Sequence, residues 1–341
     1  MKAIKFFAIS AMAAAMITSC STDDELSQSN YPSDNIIRVT AGVNNAKTRA
    51  DGQGVTAMDK DFSLTIVNKN TEKPELASKY SYTDKVFSKK SGDWACSETL
   101  LWQDSKTPVD IVAFAPAQEG KFNGVYANGS IQPIAYSVAD DQSTSSENND
   151  LLYYYAKDFN PGTSLVDKKL SIQFNHAFCM IDINVTLGTE FNKPKVLDDS
   201  PIVKVTLGGT KIAANVNVKN AATGSTTTTA SVVTASETAA ATDITTTKGT
   251  FDKAANAEAN AISHFSCIAI PQKVGANTFK VSLMTAGKRY EWTSADPVEL
   301  KSGYRYTLNL SMGNDVVLLK GGSITATKWD EVTGLKPLET E

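Results

Sequence analysis

The side chain with the most chemistry open to it is the thiol of Cys20. It closes an opening stretch in which Lys2 and Lys5 carry the positive charge and residues 4–17 form a short apolar run. That run is too short to cross a bilayer as a permanent helix and has the makeup of a secretory signal. The order Ile17-Thr18-Ser19-Cys20 matches the pattern of a bacterial lipobox. In that pattern the signal, residues 1–19, is cut before the cysteine and the thiol takes up lipid. An ordinary signal cut between residues 13 and 15 is the alternative, and it leaves Cys20 incidental. Asp23, Asp24 and Glu25 then open a polar stretch with the composition of a flexible acidic tether over residues 20–35.

Elsewhere reactive groups are sparse. Cys96, Cys179 and Cys267 are an odd number of widely spaced thiols, which allows at most one bridge within the chain and makes no zinc pattern. The two histidines, His176 and His264, lie far apart among apolar neighbours and read as packed, hydrogen-bonded residues. No Gly-x-Ser-x-Gly, phosphate-cradling glycine loop or His-Glu-x-x-His occurs. The Asp140-Asp141 and Asp198-Asp199 pairs read as solvated loop charge rather than as the facing carboxylates of a glycosidase. Residues 140–150 are rich in oxygen ligands but lack the spacing of a calcium loop. The sequence therefore predicts no catalytic residue, no metal site, no cofactor and no enzymatic activity. With 33 basic against 37 acidic residues the net charge is −4, and nucleic acid is a poor partner. Trp94, Trp102 and Tyr153-Tyr154-Tyr155 are the aromatics that could stack on sugars.

The elements that must hold these residues read as strands. In residues 303–311, Tyr304, Tyr306, Leu308 and Leu310 fall on one face, and Arg305, Thr307, Asn309 and Ser311 on the other. Residues 202–207, 211–218, 277–283 and 288–293 keep the same period of two. Residues 109–115, 151–156, 262–270 and 315–320 are denser apolar runs, suited to strands covered on both faces. Only residues 252–261 carry a helical pattern. The chain is predicted to be all-β, in antiparallel sandwiches, and after signal and tether about 300 residues suffice for two domains. A phase change marks the junction. Leu170, Ile172, Phe174 and Phe178 alternate at even positions, whereas Ile181, Ile183 and Val185 take odd ones, so the apolar set changes face. A strand leaving one sandwich and entering the next would do this, giving domains at 36–176 and 177–341. The Thr/Ala/Ser-rich tract 221–248 is an insertion in the second.

Taken in order, these pieces resemble a fimbrillin of the Bacteroidales type V pilus system. The marks are Cys20, an early strand over residues 36–43 followed by Thr48-Arg49-Ala50, the stretch FNHAFCMIDINV at 174–185, Ile270-Pro271-Gln272, GYRYTLNL at 303–310 and ITATKW at 324–329. The resemblance implies two transthyretin-like β-sandwiches in tandem. It also implies a subunit or adhesin of a cell-surface fimbria, exported as an outer-membrane lipoprotein, with the acidic residues after Cys20 as a surface-export signal. An arginine-specific protease would cut between Arg49 and Ala50, removing the strand that carries Ile37, Val39, Ala41 and Val43. A strand from another subunit would fill the gap, with Val316, Val317, Leu318 and Leu319, or residues 324–329, as the donor. Partners would be like or unlike fimbrial subunits, the outer membrane through lipid, and ligands on host or bacterial surfaces. A surface glycan-binding lipoprotein with tandem β-sandwiches is the alternative reading.

Overall fold

The structure is a computed structural model that describes residues 30–44, 55–118, 120–127, 129–193, 195–222, 231–313, 316–319 and 324–328. Cys20, Arg49 and Ala50 lie outside these residues. The described chain is almost wholly β. Its two α-helices are single short turns, α1 (Pro74–Lys79) and α2 (Pro161–Ser164), each opened by a proline whose fixed φ suits the first helical position. The expected helix at 252–261 is absent, because the chain there leaves a strand and runs through turns before the next one starts.

The first eleven strands are β1 (Val39–Asn44), β2 (Val55–Ala57), β3 (Phe62–Asn68), β4 (Tyr82–Lys90), β5 (Asp93–Cys96), β6 (Val109–Ala115), β7 (Tyr126–Ala127), β8 (Ser130–Ile131), β9 (Ile134–Ser137), β10 (Leu152–Phe159) and β11 (Leu170–His176). Eight of them form one sheet in the order β2-β1-β11-β10-β6-β3-β4-β5. Its strands β3 and β6 are buried on both faces. Phe62, Leu64, Ile66, Ile111 and Ala113 enter one core with Ile37, Val39, Leu170, Ile172 and Phe174. Val67, Val112 and Phe114, on the opposite face, enter a second core shared with the rest of the chain. This is why residues 109–115 read as a dense apolar run.

The later strands are β12 (Cys179–Leu187), β13 (Ile202–Gly208), β14 (Ala213–Val216), β15 (Val233–Ala235), β16 (Ile244–Thr245), β17 (Thr247–Asp252), β18 (Ala261–Ala269), β19 (Gln272–Val274), β20 (Lys280–Thr285), β21 (Arg289–Thr293), β22 (Val298–Leu300), β23 (Tyr304–Met312), β24 (Val317–Leu319) and β25 (Thr325–Lys328). A six-stranded sheet runs β17-β18-β12-β23-β24, with β25 also on β23, and a four-stranded one runs β16-β13-β20-β21. The phase change of 170–185 coincides with a change of sheet. β11 ends at His176, Ala177 and Phe178 cross over fully buried, and β12 begins at Cys179 in the six-stranded sheet. The crossing is pinned by Ala177 N donating to Leu151 O at 2.8 Å and Gly303 N donating to Phe178 O at 2.9 Å.

Two pairings depart from an antiparallel plan. β1 runs parallel to β11, and β12 runs parallel to β23. A third feature ties the halves together. β9, from the first half of the sequence, pairs with β14 from the second. The Gln142 side chain then bonds both backbone groups of Ile268, accepting from N at 2.8 Å and donating to O at 2.9 Å. The Thr/Ala/Ser-rich tract is likewise not mere surface, since its Val233 and Ile244 are buried in the second core.

One glycine in this half is conformationally required. Gly209, just after β13, has φ +84°, and a Cβ there would lie 2.1 Å from the Thr278 carbonyl oxygen. Gly209→Ala is expected to destabilise by roughly 2 kcal/mol or more, from left-handed strain plus a clash that backbone must relieve. A denaturant midpoint unchanged from the parent would refute this.

Candidate assembly site

Of residues 36–43, those from Val39 onward form the strand β1, three residues later than the sequence suggests, and both it and the lead-in before it are set into the first core. The lead-in is held first. Trp102 N donates to Asn35 O at 2.8 Å and Ile37 N donates to Leu100 O at 2.9 Å. Arg38 grips Asp34 with both guanidinium nitrogens, at 3.0 and 2.6 Å, and these bonds hold the exposed Asp34 carboxyl well below the usual carboxylate range. Period-two alternation then sorts β1. Ile37 and Val39 are 6% and 5% exposed in the core, Ala41 and Val43 pack half-buried against it, and Arg38 and Thr40 face out. At the far end the Asn44 amide donates to Asn175 Oδ1 at 2.9 Å.

The seat of β1 has an unusual dependence on its occupant. Val39 to Val43 pair with Leu170 to Phe174 of β11. On its other side β11 pairs with β10 only at Asn175 and His176. β2 pairs only with β1 among the described residues, through Gly42, Val43 and Asn44. Taking β1 out therefore strips the ladder from most of β11 and from all of β2. It also bares the pockets of Ile37 and Val39, whose full burial is worth about 3–6 kcal/mol for the pair. A vacant seat of this kind is a template for a replacement strand.

The C-terminal strands have the opposite character. β24 and β25 lie end to end on one edge of β23, pairing with Leu310 to Met312 and with Tyr304 to Thr307. Val316 is 54% exposed, and all four β25 residues are exposed. Val317 and Ile324 rest half-buried on the second core. Backbone bonds hold this segment, and neither Val316 nor the β25 side chains bring much apolar burial to it.

The chain has four arginines. Arg289 and Arg305 lie inside β21 and β23, and Arg305 also pairs with Asp182. Arg38 is tied to Asp34, and its carbonyl accepts from Leu170 N at 2.8 Å. Arg49, the fourth, lies between β1 and β2 in sequence and outside the described residues.

The other candidates are distributed as follows. Trp102 is buried, and Trp94 packs edge-on to Phe62 at 4.9 Å with Lys89 over its ring. Tyr154 points into the first core while Tyr153 and Tyr155 pack on the second, so these aromatics make no common platform. His176 Nδ1 sits 2.8 Å from Asp150 Oδ2 in a nearly buried pair beside the crossing. Asp198 pairs with Lys195 and Lys253, which pull its carboxyl down to about 2, and Asp199 pairs with Lys248, so both are surface ion-pair partners. No cluster of His, Cys, Asp and Glu suited to a metal occurs among the described residues. Cys96, Cys179 and Cys267 are free thiols, and burial pushes those of Cys179 and Cys267 far up. The Asn44–Asn175 clasp had no sequence signal, since it joins residues 131 apart.

The profile of a family described as fimbrillin-like matches residues 48–329. Solved structures share the fold at low identity. A Bacteroides ovatus protein assigned to cell adhesion has a TM-score of 0.59 at 14% identity, over 85% of this chain and 96% of that one. A Bacteroides uniformis protein with the same assignment has a TM-score of 0.53 at 12% identity, over 87% and 99%. A fimbrial protein of Bacteroides vulgatus has a TM-score of 0.52 at 13% identity, over 86% and 99%. No curated protein matches the sequence.

Proposed function

The chain belongs to the fimbrillin-like family, and on that premise we propose that it is a subunit or adhesin of a cell-surface fimbria that assembles by strand exchange. It reaches the surface as a lipoprotein through Cys20. Cleavage between Arg49 and Ala50 then releases β1, and an apolar strand of a neighbouring subunit takes its seat. The fimbrial role follows from the family. The exchange step rests on the seat of β1, an apolar slot whose occupant is the main partner of β11 and the sole described partner of β2.

The position of the cut supports the same reading. Three of the four arginines are held by strands or ion pairs, whereas Arg49 sits among Asn44, Asn45, Asp51 and Gly52, the residue types of an accessible loop. For the donor, β24 and β25 are the natural source, because they lie on an edge of β23 and the β25 side chains are exposed. In this reading the two halves of the chain are tandem transthyretin-like sandwiches, one offering the seat and the other the strand.

N-terminal sequencing of the polymeric surface form tests the proposal. The expected first residue is Ala50. Polymer whose every subunit starts at lipidated Cys20 would overturn the cleavage step.

A further inference from the structure

The outward face of the six-stranded sheet carries a groove of about 640 Å³, lined by none of the residues that seat β1. A row of side chains crosses it from strand to strand. Asp252 Oδ2 on β17 lies 2.9 Å from His264 Nε2 on β18. His264 Nδ1 lies 2.8 Å from Asn184 Oδ1 on β12, and the Asn184 amide nitrogen donates to Asn309 Oδ1 on β23 at 3.0 Å. Four adjacent strands are bridged, a span of roughly 14 Å at normal strand spacing. Beside this row, Arg305 of β23 holds the Asp182 carboxylate of β12, with Nη2 donating to Oδ1 at 3.2 Å. A bulge in β17 between Lys248 and Phe251 shapes one wall, and the exposed Thr327 of β25 shapes the other.

We propose that this groove binds a neutral oligosaccharide. Its Asp182 carboxylate is balanced by the Arg305 guanidinium, and Asp252 at the end of the row is bonded to His264. An anionic ligand would meet two carboxylates and a cationic one the guanidinium. An apolar ligand would strip water from these groups and return no hydrogen bonds. An extended peptide finds no free backbone edge on the groove floor, because β12 is paired along its length to β18 on one side and β23 on the other. Hydroxyl groups both donate and accept, which suits a surface where amide, imidazole, carboxylate and guanidinium groups alternate in fixed orientation. Met180 adds an apolar patch at the head of the groove for the C–H face of a sugar. The site needs no cleavage, but its β25 wall is one of the strands that the strand-exchange reading names as donor, so it is a site of the unassembled chain.

The test is isothermal titration of the unlipidated chain from Ser21 onward. The probes are maltotetraose, cellotetraose, mannotetraose, xylotetraose and chitotetraose, with tetra-aspartate and tetra-lysine as charged controls. The expected result is saturable binding of at least one neutral sugar. Asn184→Ala should weaken it about tenfold, the effect of losing one or two hydrogen bonds. Thr327→Trp, at an exposed position, should block the groove by a similar factor while the melting midpoint stays put. Flat titrations for all five sugars overturn the proposal. Binding that survives both variants, or binding of only a charged peptide, overturns it equally.

Discussion

Replacing Arg49 by alanine should leave the surface chain at its lipidated length and abolish its incorporation into polymer. A heat- and detergent-resistant ladder on gels, present for the parent and missing for Arg49→Ala, is the readout, with fibres counted by electron microscopy. The effect is expected to be near total because the seat is filled from within. While β1 stays covalently in place its apolar side chains occupy the pockets at high effective concentration, and an outside strand competes against an intramolecular one. Arg49→Lys separates the step from mere loop charge, since an arginine-specific protease leaves it uncut as well. Fibres built from uncut Arg49→Ala subunits would end the cleavage scheme.

Phe62→Ala should cost about 3–5 kcal/mol, enough to consume a large part of the 5–15 kcal/mol that holds a typical domain together. Phe62 is fully buried, and its ring stacks on Phe87 at 5.4 Å and meets Trp94 and Phe174 edge-on at 4.9 and 5.5 Å. Those partners come from β4, β5 and β11, so the cavity would open between an edge of the sheet and the strand that floors the seat of β1. The loss should appear as a lower denaturant midpoint at unchanged slope. A shift equivalent to less than about 1 kcal/mol would mean that the site collapses onto the gap and that the aromatic cluster is less rigid than its geometry implies.

Strand identity was legible in the sequence because period-two alternation is local. Tyr306, Leu308 and Leu310 are buried in β23 as their spacing requires, and the phase slip after Phe178 is the change from one sheet to another. What local period cannot carry is the pairing partner. The parallel docking of β1 on β11 joins residues some 130 positions apart, and the β9–β14 pairing gave no sign at all. Residues 252–261 misled for a related reason. Their alanines favour helix weakly, while Asp252 belongs to a strand bonded to β18 and Ala261 opens that strand. In the Thr/Ala/Ser-rich tract, Val233 and Ile244 were hidden by composition, since two apolar residues among many small polar ones make no pattern. The aromatics named for sugar stacking are divided between the cores, with Trp102 and Tyr154 in or against the first and Tyr153 and Tyr155 against the second. The groove residues Asp182 and Asn184 were visible as outward positions. Their row across four strands exists only in the folded sheet.

The stitching of the two halves through β9, β14 and Gln142 bears on mechanics. A molecule whose first half lends a strand to the second, and whose Gln142 side chain bonds the far half at both backbone groups of Ile268, has no free hinge at its middle. A filament made of such units would store bending at the joints between neighbours, and each unit would act as a stiff link. Its persistence length would then be governed by how firmly one molecule grips the next.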